Sequence, residues 1–82
     1  MSDPVVTDLE RIEAPYRRQI LLQDVDHESG LKLLRIRIRE GHRFTILDID
    51  AGTAKHWGEQ MLAWSAANEG HQGPGASEDG AP

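Results

Sequence analysis

The chain of 82 residues contains no cysteine. This absence excludes a disulfide framework, a thiolate metal site and a thiol redox motif, and it favours a reducing compartment. The first ten residues, MSDPVVTDLE, lack the basic and apolar segments of a signal peptide, and no stretch approaches the roughly 20 apolar residues of a membrane span. We therefore expect a soluble, cytoplasmic protein without a membrane partner.

Large aromatic side chains are also scarce, since only four occur in the chain: Tyr16, Phe44, Trp57 and Trp64. A hydrophobic fraction of 38% in so short a chain supplies one thin core layer and leaves a large share of the surface in water. A second layer that could enclose a substrate pocket is not expected. The composition therefore favours a protein that binds over one that catalyses.

The motifs of catalysis and of cofactor binding are missing as well. The four histidines, His27, His42, His56 and His71, show none of the three- or four-residue spacings typical of metal ligands. The glycines near the C-terminus follow no strand and precede no helix, so they form no phosphate-binding loop, and the serines lack a nucleophile motif. The sequence predicts no enzyme activity, no catalytic residue, no metal site and no cofactor.

Charge is unevenly distributed along the chain, whose formal net charge is −5. The first fifteen residues contain four acids and one base, a balance of −3, whereas residues 32–43 contain five bases and one acid, a balance of +4. The net charge disfavours nucleic acid and anionic membranes as partners at long range. Residues 32–43 are a locally basic segment within this acidic chain.

Three strands are predicted between residues 16 and 50, where aliphatic runs are separated by the turn clusters HESG and EGH. A two-residue type II′ turn formed by Gly41 and His42 would place Glu40 opposite Arg43 and fix the register of the second hairpin.

The first hairpin is expected to close over a five-residue loop from Asp26 to Gly30, with Val25 opposite Leu31. Because side chains alternate between the two faces of a sheet, the two registers together predict one aliphatic face. Its members would be Ile20, Leu22, Leu34, Ile36 and Ile38.

After Ile49 the spacing of the apolar residues changes to three and four, which is typical of an amphipathic helix. Asp50 is suited to cap the start of this helix and Gly70 to end it, while Gly58 in its middle indicates either a close approach to a strand or a tolerated surface glycine. The predicted fold is therefore α+β, a three-stranded antiparallel meander packed on one C-terminal amphipathic helix (β-β-β-α), with the domain spanning residues 16–69.

Both ends of the chain are predicted to lie outside this domain. Residues 1–15 would form an N-terminal arm, in which a capping-box spacing and the apolar positions Val5, Leu9 and Ile12 indicate a short helix. Residues 70–82 are rich in glycine, proline and acid, and we expect them to be a disordered tail.

The second face of the predicted sheet mixes guanidinium groups with apolar side chains, which is typical of interaction surfaces. Arginines alternate with aliphatic residues along the middle strand. One interpretation is that this face is only solvated, with Arg35 paired to Asp48 and Arg39 over the ring of Phe44. The candidate partner-binding residues are Arg35, Arg37, Arg39, Phe44 and Ile46.

The function predicted from these observations is that of a small non-catalytic accessory or adaptor protein. It would bind another protein, or a second copy of itself as a homodimer, through the arginine-bearing sheet face. A nucleic-acid-binding module built on the Arg35, Arg37 and Arg39 strand is one alternative, which the acidic net charge and the single aromatic on this face disfavour. A non-catalytic subunit or regulator of a larger enzyme is another.

Overall fold

The computed structural model describes residues 3–71 and shows an antiparallel sheet followed by one helix. The sheet has the strand order β1-β2-β3-β4. Its elements are β1 (Val5–Ala14), β2 (Arg18–Asp26), β3 (Lys32–Glu40), β4 (Arg43–Ile49) and the helix α1 (Ala51–Asn68), followed by a 3-10 turn at Glu69–His71. The α+β class and the C-terminal helix are confirmed, but the sheet has four strands rather than three.

The additional strand, β1, occupies the segment for which the sequence indicates a short helix, so that prediction is wrong. A β-bulge explains the misleading pattern, because the pairing with β2 shifts between Asp8 and Glu10 and leaves Leu9 as an extra residue. The extra residue breaks the alternation of the strand. Val5, Leu9 and Ile12 consequently stand at spacings of four and three, which imitate a helix.

The hairpin of β3 and β4 has the predicted register throughout, from Glu40 opposite Arg43 to Leu34 opposite Ile49. Gly41 adopts a φ of 60°, a left-handed value that glycine tolerates without strain and that the first central residue of such a turn requires.

The hairpin of β2 and β3 is displaced by two residues from the predicted register, since Val25 lies opposite Leu33 instead of Leu31. Two backbone hydrogen bonds, each 2.9 Å long, close the loop. The N–H of His27 donates to the carbonyl of Leu31, and the N–H of Gly30 donates to the carbonyl of His27. Because the displacement is an even number, every side chain stays on the face that was predicted for it.

Alternation along the four strands separates two chemically distinct faces. The arginine face carries Arg11, Arg35, Arg37 and Arg39. The opposite side, called the aliphatic face below, carries eight branched apolar side chains: Ile12, Ile20, Leu22, Leu34, Ile36, Ile38, Leu47 and Ile49.

The helix α1 begins as predicted at Asp50, whose carboxylate accepts a hydrogen bond of 2.9 Å from the backbone N–H of Thr53. It covers only part of the aliphatic face. Its nearest strand is β3, and none of its residues is buried. A groove of about 300 Å³ remains between helix and sheet. A Cβ at Gly58 would meet no atom within 4 Å, so the predicted close approach at Gly58 is wrong.

The hydrophobic core of the single chain is small. Within residues 3–71, the buried apolar side chains are Val25, Ile36 and Ile49. The radius of gyration is 15.4 Å, compared with about 11–12 Å for a compact domain of this length. One copy of the chain therefore forms an open structure in which much apolar surface faces solvent.

Two further points concern membrane crossing and the C-terminal tail. No helix within residues 3–71 combines the length and the apolar character needed to cross a lipid bilayer. The predicted disordered tail, residues 70–82, lies outside the described residues from residue 72 onward.

The helix cap at Asp50 makes stability depend on pH. The hydrogen bond from Thr53 lowers the pKa of Asp50 in the folded chain. Its stabilisation is therefore present above the unfolded-state pKa of about 3.9 and is lost as the pH falls through the lower folded-state value. We expect Asp50→Ala to lower the thermal unfolding midpoint at neutral pH, as measured by circular dichroism.

The matched control for the cap is Asp50→Asn. An asparagine also accepts the hydrogen bond from Thr53 but does not titrate, so this variant should keep most of the midpoint at neutral pH and should lose less of it in acid. An Asp50→Ala protein that melts at the wild-type temperature would show that the cap does not stabilise α1.

Candidate functional site

Three rows of side chains cross the arginine face from β1 to β4. The pairing confirms the predicted positions of the β3 arginines opposite the side chains of β4. The first row is Asp8, Gln23, Arg35 and Asp48; the second is Arg11, Leu21, Arg37 and Ile46; the third is Glu13, Gln19, Arg39 and Phe44.

The first row is closed by hydrogen bonds within the chain. The buried side-chain amide of Gln23 donates to Oδ1 of Asp8 at 2.8 Å. Arg35 donates from Nε to Oδ1 of Asp48 at 2.9 Å and from Nη2 to Oδ2 at 3.1 Å, which is the two-pronged geometry of strong guanidinium–carboxylate pairs. The local pairing of Arg35 with Asp48 is thus confirmed, and Arg35 is less free than its neighbours to contact a partner.

This pairing also holds both groups in their charged forms. The hydrogen bond with Asp48 raises the pKa of Arg35 against the effect of desolvation. The same bond lowers the pKa of Asp48, and the charges of Arg35 and His27 add to that effect. The first row is therefore a fixed polar border of the arginine face.

The second and third rows surround an open depression of about 170 Å³. Phe44, which lines it, is 60% exposed, and Ile46, which lies opposite Arg37 in the second row, is 57% exposed. The guanidinium carbon of Arg37 lies 6.0 Å from the centroid of the Phe44 ring, so Arg37 and not Arg39 makes this contact. Arg39 donates from Nε to the carbonyl oxygen of Gly41 at 3.3 Å. The lining residues are Arg11, Gln19, Leu21, Arg37, Arg39 and Phe44.

The charges around this depression lack carboxylate partners. Among residues 3–71, no carboxylate oxygen lies within 4 Å of the guanidinium nitrogens of Arg11, Arg37 or Arg39. The chain has 14 acids and 9 lysines and arginines, so acids are not in short supply. Other sheet cations do pair with them: Arg18 with Glu40, Lys32 with Asp24, and Arg35 with Asp48.

Two of the arginines at this surface were not anticipated from the sequence. Arg11 comes from β1, whose bulge concealed the strand, although the alternation in RIEA after the bulge was a usable signal. Arg17 lies in the β1–β2 turn with a φ of 63°, a left-handed value unusual for a residue other than glycine. It borders an adjoining depression of about 390 Å³ together with Glu13, Gln19, Arg39, Gly41 and His42.

The shape of the surface limits what it can bind. Small-molecule sites typically enclose about 300–1,000 Å³, so the 170 Å³ depression has room for one side chain of a larger ligand, whereas the adjoining 390 Å³ depression reaches the lower end of that range. Within the described part of the chain, no three histidine, aspartate or glutamate side chains gather in a group that could hold a metal ion. The arrangement offers positive charge, hydrogen-bond donors and apolar contact area.

Comparison with known proteins covers the same unit of structure. The model of a family described as "Family of unknown function (DUF6967)" matches residues 3–67. The chain belongs to the DUF6967 family. The DUF6967 match contains all four strands and α1 up to its last residue but one, so both faces of the sheet lie inside it. No curated protein and no solved structure is significantly similar to the chain.

The Arg35–Asp48 pair predicts a specific change in titration. Arg35→Gln removes the main donor to Asp48, so the pKa of Asp48 should rise toward its ordinary value, as measured by NMR titration of the side-chain carboxyl carbon. Because the folded-state pKa is lowered in the wild type, the pair stabilises the fold above the ordinary pKa and ceases to do so as the pH falls through the lowered value.

Arg39→Gln is the control for this titration, since Arg39 makes no contact with Asp48 and its loss should leave the Asp48 pKa unchanged. An Asp48 pKa that stays lowered in Arg35→Gln would show that another group holds the carboxylate charged.

Proposed function

We propose that the protein is a small non-catalytic adaptor that binds another protein through the arginine face. The observation that carries the proposal is the set of three arginines without carboxylate partners, Arg11, Arg37 and Arg39, around the exposed Phe44 and Ile46. Arginine and aromatic residues are the side chains most enriched at the energetic centres of protein interfaces. A cytoplasmic location for this encounter is supported by the cysteine-free composition.

Sheet geometry supports a particular chemistry for the proposed partner. Arg11 and Arg37 stand two strands apart in one row, so their backbones are separated by about 10 Å, and Arg37 and Arg39 are about 7 Å apart along β3. Carboxylates at comparable separations can each accept a two-pronged hydrogen bond from a guanidinium group. The depression between Leu21 and Phe44 accepts an apolar side chain. The proposed ligand is an acidic segment with one large apolar residue.

A protein ligand is favoured over nucleic acid by the composition of the face. Its open rows contain one aromatic side chain, Phe44, whereas single-stranded nucleic acid is usually bound by several stacking aromatics. Leu21 and Ile46 add aliphatic area that bases and phosphates do not use, and the net charge of −5 opposes approach of a polyanion. The partner protein can itself be an enzyme, in which case the chain is its subunit or regulator.

The test uses the full chain as bait in extracts of its native source, followed by cross-linking mass spectrometry and a binding titration with the partner so identified. Arg37→Glu reverses the charge at the centre of the face and should weaken binding at least tenfold, since hot-spot losses exceed about 1–2 kcal/mol. The circular dichroism spectrum should not change, because Arg37 makes no ion pair among residues 3–71.

Lys55→Glu makes the same charge change on the exposed surface of α1 and should leave the affinity unaltered. If both variants weakened partner binding equally, the change in net charge would account for the effect, and the proposed binding face would be contradicted. Strong binding of an oligonucleotide that declines steeply with salt and is lost in Arg37→Glu would support the nucleic-acid alternative instead.

A further inference from the structure

The aliphatic face and α1 leave a continuous apolar surface uncovered in the single chain. The groove between them is bordered only by apolar residues and one glycine: Ile12, Ile20, Leu22, Leu34, Ile36, Ile38, Ile49, Ala54, Trp57, Gly58 and Met61. Monomeric proteins rarely expose an apolar patch of more than a few hundred Å² unless something binds there. The groove is therefore a candidate binding surface.

The second half of α1 carries a surface of the same character. Met61, Leu62 and Trp64 are 56%, 73% and 70% exposed. Trp57, Met61 and Trp64 follow one another at spacings of four and three, which place them along one side of the helix. The side of α1 that borders the groove thus continues, beyond Met61, into side chains that no other part of residues 3–71 covers.

The residues outside the described range 3–71 offer little apolar side-chain area. Residues 72–82 read QGPGASEDGAP and contain no apolar side chain larger than that of proline. The two residues before Asp3 add a single methionine. With three buried apolar side chains and no cysteine for a disulfide, a domain of this size usually gains stability by association.

We propose that a second copy of this chain fills the groove, with the Met61–Trp64 end of each α1 lying on the aliphatic face of the other copy. Each chain offers both the apolar groove and the apolar helix end that fits it, which is the self-complementarity that a two-fold symmetric contact requires. The groove contains no charged lining residue that would select a different, charged partner.

The available area agrees with a stable dimer. With roughly 150–250 Å² for a large side chain, the exposed parts of Ile12, Leu47, Met61, Leu62 and Trp64 sum to about 500–600 Å² per copy. A standard interface takes about 800 Å² from each partner, and the half-buried side chains of the groove add to the total. The dimer leaves both arginine faces outward and so presents two of the proposed adaptor sites.

The test is the solution mass of the full chain, measured by light scattering over a wide range of concentration. We expect a dimer, and we expect Trp64→Glu to weaken dimerisation by roughly tenfold to a hundredfold. Ala63→Glu is the matched control, because it places the same charge on the opposite side of α1, and it should leave the dimer intact. A folded wild-type monomer at all concentrations would overturn the proposal, as would equal effects of the two variants.

A second measurement uses only the wild-type chain and therefore does not depend on whether a variant folds. In a mixture of isotopically labelled and unlabelled wild-type chains, isotope-filtered NOE spectra report only contacts between copies. We expect such contacts between the Trp64 indole of one copy and the methyl groups of Leu22, Ile36 or Leu47 of the other. A dimer without them would overturn this arrangement. A negative result for the dimer would not contradict the proposed function of the arginine face, because Arg37→Glu is expected to weaken partner binding without changing the mass of the dimer.

Discussion

The structure depends on a constraint of coverage: one face of the four-stranded sheet carries eight aliphatic side chains, and one helix is too narrow to bury them all. An α-helix with its side chains is about 10–12 Å across, whereas four strands about 4.8 Å apart present a wider surface. α1 lies nearest to β3 and leaves the groove beside it open. The small core, the extended shape and the exposed end of α1 all follow from this mismatch.

Strand alternation places two kinds of chemistry on opposite sides of the same sheet. Along β3, Leu34, Ile36 and Ile38 alternate with Arg35, Arg37 and Arg39, so these aliphatic side chains and these arginines lie on opposite faces. The Arg35–Asp48 pair and the Gln23–Asp8 hydrogen bond close one border of the arginine face within the chain. The remaining arginines make no ion pair within residues 3–71, and Glu13, which shares their face, accepts a hydrogen bond from Gln19 instead.

Local signals predicted the elements whose geometry a few residues decide. The turn at Gly41 set the β3–β4 register, and Asp50 marked the start of α1, because each depends on backbone dihedrals and hydrogen bonds of adjacent residues. The β2–β3 loop was misjudged by two residues, yet the faces survived, since only an odd displacement exchanges them. The strand β1 was missed because its bulge at Leu9 replaced the strand period with a helical one.

The sequence by itself determined the α+β class, the turn at Gly41, the cap at Asp50 and the assignment of the β3 arginines and aliphatic side chains to opposite faces, since these follow from local backbone preferences and the two-residue period of a strand. Only the tertiary structure decided that β1 joins the sheet and brings Arg11 into the same row as Arg37, and that α1 covers part of the aliphatic face. These features depend on contacts between residues far apart in the chain, whose geometry no local pattern encodes.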